Sequence, residues 1–189
     1  GYRWIKQLEH LGFHGILADD MGLGKTLQCI SVLDSARSSE HHSLIVCPSS
    51  LLFNWQQELQ RFAPDVTSQI IMGNQMLRKE LIRKIADYDV SITSYDYLKR
   101  DIEQYNSLSL YYVVLDEAQY IKTQKTQSAL SVKQLQCEHR LAMTGTPIEN
   151  NLAELWSIFD FLMPGFLFNY HYFQTNYERP VVRDEDQEL

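Results

Sequence analysis

Two short segments hold groups suited to phosphate chemistry. In Gly22-Leu23-Gly24-Lys25-Thr26, two glycines let the backbone curl so that successive N–H groups converge on phosphate oxygens. Asp20, Met21 and Leu23 would add main-chain atoms to the same cradle. Lys25 can reach the β- and γ-phosphates of ATP, and the Thr26 hydroxyl can ligate Mg²⁺. The second segment is Asp116-Glu117, at the end of the apolar run Tyr111–Leu115. An aspartate at the carboxyl end of a strand next to the phosphate loop can hold Mg²⁺, and the adjacent glutamate can polarise an attacking water as general base. Because side chains alternate along a strand, neighbouring acids at its end can serve metal and water separately. Either segment alone is weak: the general loop pattern has glycine where Asp19 stands, and an isolated Asp-Glu pair more often opens a turn or caps a helix. Together they point to nucleotide binding and hydrolysis.

The surrounding pattern supplies the scaffold. Short apolar runs at Gly15–Ala18, Leu44–Cys47, Gln69–Met72, Val90–Thr93, Tyr111–Leu115 and Arg140–Met143 lack polar alternation, as strands covered on both faces do. Helical patterns lie at Lys25–Ala36, Leu51–Arg61, Gln75–Ile85, Thr126–Leu135 and Asn151–Leu162. Alternating strands and helices predict a three-layer α/β domain with a mainly parallel sheet, and ligands of such sheets bind outside the carboxyl ends of the strands. After Met163-Pro164-Gly165 an aromatic-rich segment follows, Phe166 to Tyr177, expected to pack a terminal helical extension onto the core with a few of its rings left exposed. Residues 1–165 are thus expected to form the nucleotide-binding lobe and 166–189 the extension.

Composition sets bounds. A chain of 189 residues with 44% hydrophobic content can bury the core of one domain. It lacks an uninterrupted apolar run of about 18 residues, so no membrane span is expected. Its first residues lack a secretory apolar stretch and read as the middle of a longer protein. Three scattered cysteines, Cys29, Cys47 and Cys137, suit small buried residues of a reduced protein. The net charge of −7 argues against a polyanion binder, since phosphate contacts need Lys or Arg. On charge alone a small-molecule enzyme is expected.

The motifs in order resemble the Swi/Snf-type ATPases of helicase superfamily 2. Asp19-Asp20-Met21-Gly22-Leu23-Gly24-Lys25-Thr26 is similar to that family's Asp-Glu-Met-Gly-Leu-Gly-Lys-Thr loop, which accounts for Asp19. Leu44–Leu51 with Asn54, Trp55 and Glu58 resembles motif Ia; Ile92–Tyr95 resembles motif Ib. Asp116-Glu117-Ala118-Gln119, a DEAQ box, and the Tyr120-Ile121-Lys122 behind it resemble motif II, with Thr123 in place of an asparagine. Leu141–Asn150 resembles motif III.

The resemblance implies a RecA-like fold, an ATP- and Mg²⁺-dependent ATPase, and translocation along duplex DNA that moves or strips bound proteins. It implies ATP and Mg²⁺ at Lys25, Thr26, Asp116 and Glu117, and coupling of that site to DNA through Thr144, Gly145 and Thr146. It also implies contacts to one strand's phosphate backbone from Pro48, Ser49, Ser50, Thr93 and Ser94. Hydroxyls and N–H groups grip phosphates without reading bases, as a sequence-indifferent motor needs; the alternative role for one of Ser49 and Ser50 is a helix cap before Leu51. A second RecA-like lobe of the same chain, supplying arginine fingers, is implied as a partner, as is RNA polymerase or another DNA-bound protein. The implied location is the nucleoid of a bacterium or the nucleus of a eukaryote. Two alternatives stand: another superfamily 2 motor (an RNA helicase or a restriction-enzyme motor), and a nucleotide-binding interaction module without turnover. Arg78, Lys79, Arg83 and Lys84 are expected on a solvated helix face, and Trp55 and Trp156 in the core.

Overall fold

Six short apolar runs form six strands: β1 (Gly15–Leu17), β2 (Ser43–Cys47), β3 (Ser68–Ile70), β4 (Val90–Ser94), β5 (Leu110–Leu115) and β6 (Cys137–Met143). They make one sheet in the order β1-β6-β5-β2-β4-β3, and every pairing in it is parallel. The computed structural model describes residues 1–20, 22–146 and 152–181. Helices α1 (Tyr2–His10), α2 (Lys25–Ser35), α3 (Leu52–Phe62), α4 (Gln75–Arg83), α5 (Tyr95–Tyr105), α6 (Gln127–Gln134) and α7 (Leu152–Leu162) surround it. A short helix α8 (Tyr170–Phe173) runs into a π-helical turn, Gln174–Glu178.

Alternation along each strand makes three layers. Ile45, Cys47, Ile92, Val114 and Leu141 pack on one face with Ile5 of α1, Ile30 and Leu33 of α2, and Trp55 and Leu59 of α3. Leu44, Val46, Val113 and Leu115 pack on the other with Ile82 of α4, Leu98 of α5, Val132 of α6, and Ile158 and Phe161 of α7. The expected α/β fold is therefore present. Helix α5 was not among the expected elements; it starts directly at the end of β4, where the Ser94 hydroxyl accepts the Tyr97 N–H at 3.2 Å.

Several side chains depart from expectation. Arg78 is buried: its guanidinium clasps Asp101 of α5, with Nη2 to Oδ1 at 3.0 Å, and donates to the Gly73 carbonyl. Neither Ser49 nor Ser50 caps α3; they open an exposed 3₁₀ turn, Ser49–Leu51, ahead of it. Cys29 and Cys47 are buried, but Cys137 at the start of β6 is only partly so. Of the aromatics after Gly165, Phe173 packs inward while Phe166, Phe168, Tyr172 and Tyr177 are exposed; Phe168, Tyr172 and Tyr177 instead lie against one another. Met21, residues 147–151 and residues 182–189 lie outside the described residues, and with them one member of the phosphate cradle, the last four residues of the motif III segment and the end of the expected C-terminal extension.

Candidate functional site

β1 ends at Leu17, and the chain turns back into α2 through the glycine-rich loop. Gly22 and Gly24 take φ of 84° and 74°, left-handed values that a Cβ disfavours, and Gly24 is the residue just before the first turn of α2. The Lys25 ammonium folds over the loop, donating to the carbonyls of Asp19 at 2.6 Å and Asp20 at 3.0 Å. Gln28, one turn into α2, clasps the loop from below, donating to Asp19 Oδ2 at 3.3 Å and to the Leu23 carbonyl at 3.2 Å. An N-terminal helix end with curled N–H groups and an adjacent ammonium is built for an anion.

β5 delivers Asp116 and Glu117 to the same end of the sheet. Between β1 and β5 runs β6, so the loop and the acid pair flank it rather than sit on adjacent strands. Just past the end of β6, the Thr144 N–H pairs with the Leu17 carbonyl at 3.2 Å. Glu117 takes φ 51°, a left-handed conformation that ends the strand alternation and re-aims its side chain. A cleft of about 480 Å³ is lined by Gly22, Gly24, Lys25, Thr26, Asn54, Glu58, Asp116 and Glu117 among others. The candidate phosphate and acid groups thus share one opening, and Asn54 and Glu58, read from the motif Ia pattern, face it too.

Asp116 is held on three sides. Its Oδ2 accepts the Trp55 indole N–H at 2.8 Å, its Oδ1 accepts the Glu117 amide at 2.9 Å, and its main-chain carbonyl accepts the Tyr95 hydroxyl at 2.8 Å. Burial pushes the Asp116 carboxyl above its ordinary value, and the Trp55 hydrogen bond offsets only part of this. A half-buried carboxylate destabilised in this way gains most from a cation beside it, so the donor set fits a divalent metal. Burial, and then Asp116 itself, push the Tyr95 hydroxyl well above its usual range and keep it a donor.

From Glu117 a polar chain leads outward. Gln119 Nε2 donates to Glu117 Oε2 at 2.7 Å, Thr144 Oγ1 donates to Gln119 Oε1 at 2.9 Å, and the Thr146 amide donates to Thr144 Oγ1 at 3.1 Å. The candidate coupling residues Thr144 and Thr146, with Gly145 between them, are so joined to the acid pair through Gln119. The nucleic-acid candidates divide. Ser49 and Ser50 are exposed and Pro48 half-buried. Thr93 and Ser94 are 0% exposed, the Thr93 hydroxyl turned to the Ile71 carbonyl at 3.4 Å and that of Ser94 capping α5. In this conformation they offer no hydroxyl to a phosphate. Sequence reasoning missed Trp55 and Tyr95 as site residues: it placed Trp55 in the core, where its ring does lie at 1% exposure, but could not see the indole N–H reach Asp116 across 61 positions.

A phosphate loop and an acid pair at one end of a parallel α/β sheet define the class as P-loop, RecA-like. The whole chain, residues 1–189, matches the SNF2-related domain. This chain belongs to that family. It is 41% identical to the TATA-binding protein-associated factor MOT1 of Saccharomyces cerevisiae over 96% of its length, covering 10% of that protein. It is also 41% identical to an uncharacterized ATP-dependent helicase of Mycoplasma genitalium, over 100% of this chain and 18% of that one. The Sulfolobus solfataricus SWI2/SNF2 ATPase core in complex with dsDNA superposes with a TM-score of 0.89 at 41% identity, over 97% of this chain and 38% of that one. The chain therefore spans only a minor part of each relative.

Proposed function

We propose that this chain is the ATP-binding lobe of a motor ATPase that translocates on duplex DNA and displaces or remodels proteins bound there. The observation that carries the reading is the shared cleft of Lys25, Thr26, Asp116 and Glu117. Lys25 holds the β- and γ-phosphates, exchanging its loop carbonyls for them, while the N–H groups of Gly22 to Thr26 wrap the same oxygens. Thr26 and Asp116 would hold Mg²⁺, which when bound neutralises charge on the phosphates. Glu117, steadied by Gln119, orients the attacking water and takes its proton. The Gln119–Thr144–Thr146 chain transmits the state of that site toward nucleic acid, gripped at Pro48, Ser49 and Ser50, with Thr93 and Ser94 behind them. Residues 1–165 form the lobe and 166–189 lead to a second RecA-like lobe that supplies the arginine fingers. Support for duplex DNA comes from the 0.89 TM-score to an ATPase core solved with dsDNA, against a net charge of −7 that would not suggest it. Support for a protein target on DNA comes from a relative named as a TATA-binding protein-associated factor; the nuclear or nucleoid location follows from this reading alone.

The test is steady-state ATP hydrolysis by the full-length protein alone and with duplex DNA, single-stranded DNA or RNA, with Glu117→Gln as control. Strong stimulation by duplex DNA, absent in the control, is expected. Stimulation by RNA alone, or by no polymer, defeats the reading.

A further inference from the structure

The exposed 3₁₀ turn at Ser49–Leu51 and the start of α5 border a second, smaller cleft of about 230 Å³, lined by Pro48, Ser49, Ser50, Tyr95, Asp96 and Tyr120. The Asp96 carboxylate at its rim is paired with Lys99 at 2.6 Å, so the cleft does not present an unscreened negative charge. Tyr120 is half exposed and stacks on Tyr95, with ring centroids 5.1 Å apart and planes within 5°. Tyr95 is itself only 3% exposed, and its hydroxyl reaches out of this cleft to the Asp116 carbonyl. The turn at Ser49–Leu51 runs straight into α3, and α3 carries Trp55, whose N–H holds the Asp116 carboxylate. Two rigid aromatic side chains thus converge on one residue from the two elements that frame the small cleft, one gripping its side chain and the other its main chain.

We propose that Trp55 and Tyr95 are positioning residues that link occupancy of this small cleft by a nucleic-acid backbone to the placement of Asp116. The inference rests on the function proposed above. A backbone phosphate seated against Ser49 and Ser50 bears on the head of α3 and, through Tyr120, on the Tyr95 ring. Neither ring can shift without carrying its polar atom, and with it Asp116, because both are packed in the interior. The arrangement gives nucleic acid a path to the acid pair separate from the Gln119–Thr144 chain, which reaches Glu117.

The experiment uses the full-length protein with Trp55→Phe, Tyr95→Phe, Tyr120→Ala and Tyr120→Phe. It measures basal and duplex-stimulated kcat, KM for ATP, the Mg²⁺ concentration for half-maximal rate, and duplex affinity. The Trp55→Phe and Tyr95→Phe changes keep a ring and delete one hydrogen bond, so stimulated kcat should fall about tenfold. Basal kcat should fall by clearly less than stimulated kcat, duplex affinity should stay within about twofold, and the Mg²⁺ requirement should rise for Trp55→Phe. Tyr120→Ala should behave like Tyr95→Phe, and Tyr120→Phe, which keeps the stack, should restore stimulation. Equal losses of basal and stimulated kcat would show a merely structural role and overturn the inference; so would full stimulation in both Phe variants. Thermal melts report folding, and if Trp55→Phe does not fold, Tyr95→Phe and the Tyr120 pair decide. A wild type that duplex DNA does not stimulate defeats the underlying function instead, whatever the variants do.

Discussion

At the carboxyl ends of β1, β5 and β6, Lys25, Asp116 and Glu117 line a cleft of about 480 Å³. At the amino ends of β5 and β6 the polar groups close on one another around Glu9 of α1. Its carboxylate accepts the Tyr111 and Tyr112 hydroxyls, each at 3.0 Å, pairs with Lys6, and lies 3.8 Å from His139 Nε2. His14 Nδ1 accepts the Arg140 amide at 3.1 Å, and the His41 ring stacks on Tyr111 at 3.6 Å. The space left there is about 10 Å³, too little for more than about one water. Both ends hold buried titratable groups. What separates function from scaffold is whether those groups answer one another or face an opening large enough for a ligand.

Substitutions at the two ends should therefore fail in different ways. Glu117→Gln should lower duplex-stimulated ATP turnover by about 10²–10⁴-fold while leaving the melting temperature unchanged; a matching loss of stability would erase the contrast. Thr144→Val removes the link to Gln119 and should cost about tenfold in stimulated turnover, with Thr144→Ser close to wild type. At the other end, Glu9→Ala strands two tyrosine hydroxyls and should cost about 1–3 kcal/mol of stability, read as a drop of about 2–4 °C in melting temperature per kcal/mol. Turnover per folded molecule should not change.

The smallest effect is with pH. Burial holds the His14 and His139 imidazoles below their ordinary value of 6.5. The native state thus resists their protonation, and stability that is full above pH 6.5 is lost as pH falls through the lower native values. Burial alone would raise Glu9, but hydrogen bonds from Lys6, Tyr111 and Tyr112 outweigh it and hold the carboxyl below 4.5. Its contribution is present above 4.5 and is lost below that as pH falls through the native value. Melting temperature should fall in two steps, and Glu9→Gln should remove the lower one.

How much of this was legible in the sequence depended on distance along the chain. Each strand could be located, because at least part of it is written in neighbouring apolar residues, but not always its limits: β3 ends at Ile70 rather than Met72, and β6 starts three residues before Arg140, in the polar stretch Glu138-His139. The candidate phosphate loop and acid pair stood out for a similar reason: each is a contiguous segment with fixed local chemistry, and the two line one cleft. Helix α5 was missed although Tyr95, Leu98 and Tyr105 are buried along it, because tyrosines and charges between them blurred its apolar face. Partnerships were not legible at all. Glu9 meets Tyr112 across 103 positions, and Arg78 meets Asp101 across 23; Arg78 is buried and Glu9 partly so, each beside a partner that only the topology supplies.

Strand order also governs when the molecule can assemble. β1, which carries the phosphate loop, pairs only with β6 among the described residues, Gly15 to Leu141 through Leu17 to Met143. A bond between neighbouring residues there closes a loop of 126 positions. Pairings of that span are slow to form because the entropy of closure comes before the contact. During synthesis β2, β4 and β5 can find one another while the first strand still waits for the sixth to emerge. The candidate phosphate loop, made before β2 to β6, is then among the last of these segments to gain its native support, and a nascent chain halted before Met143 would lack the strand that β1 pairs with.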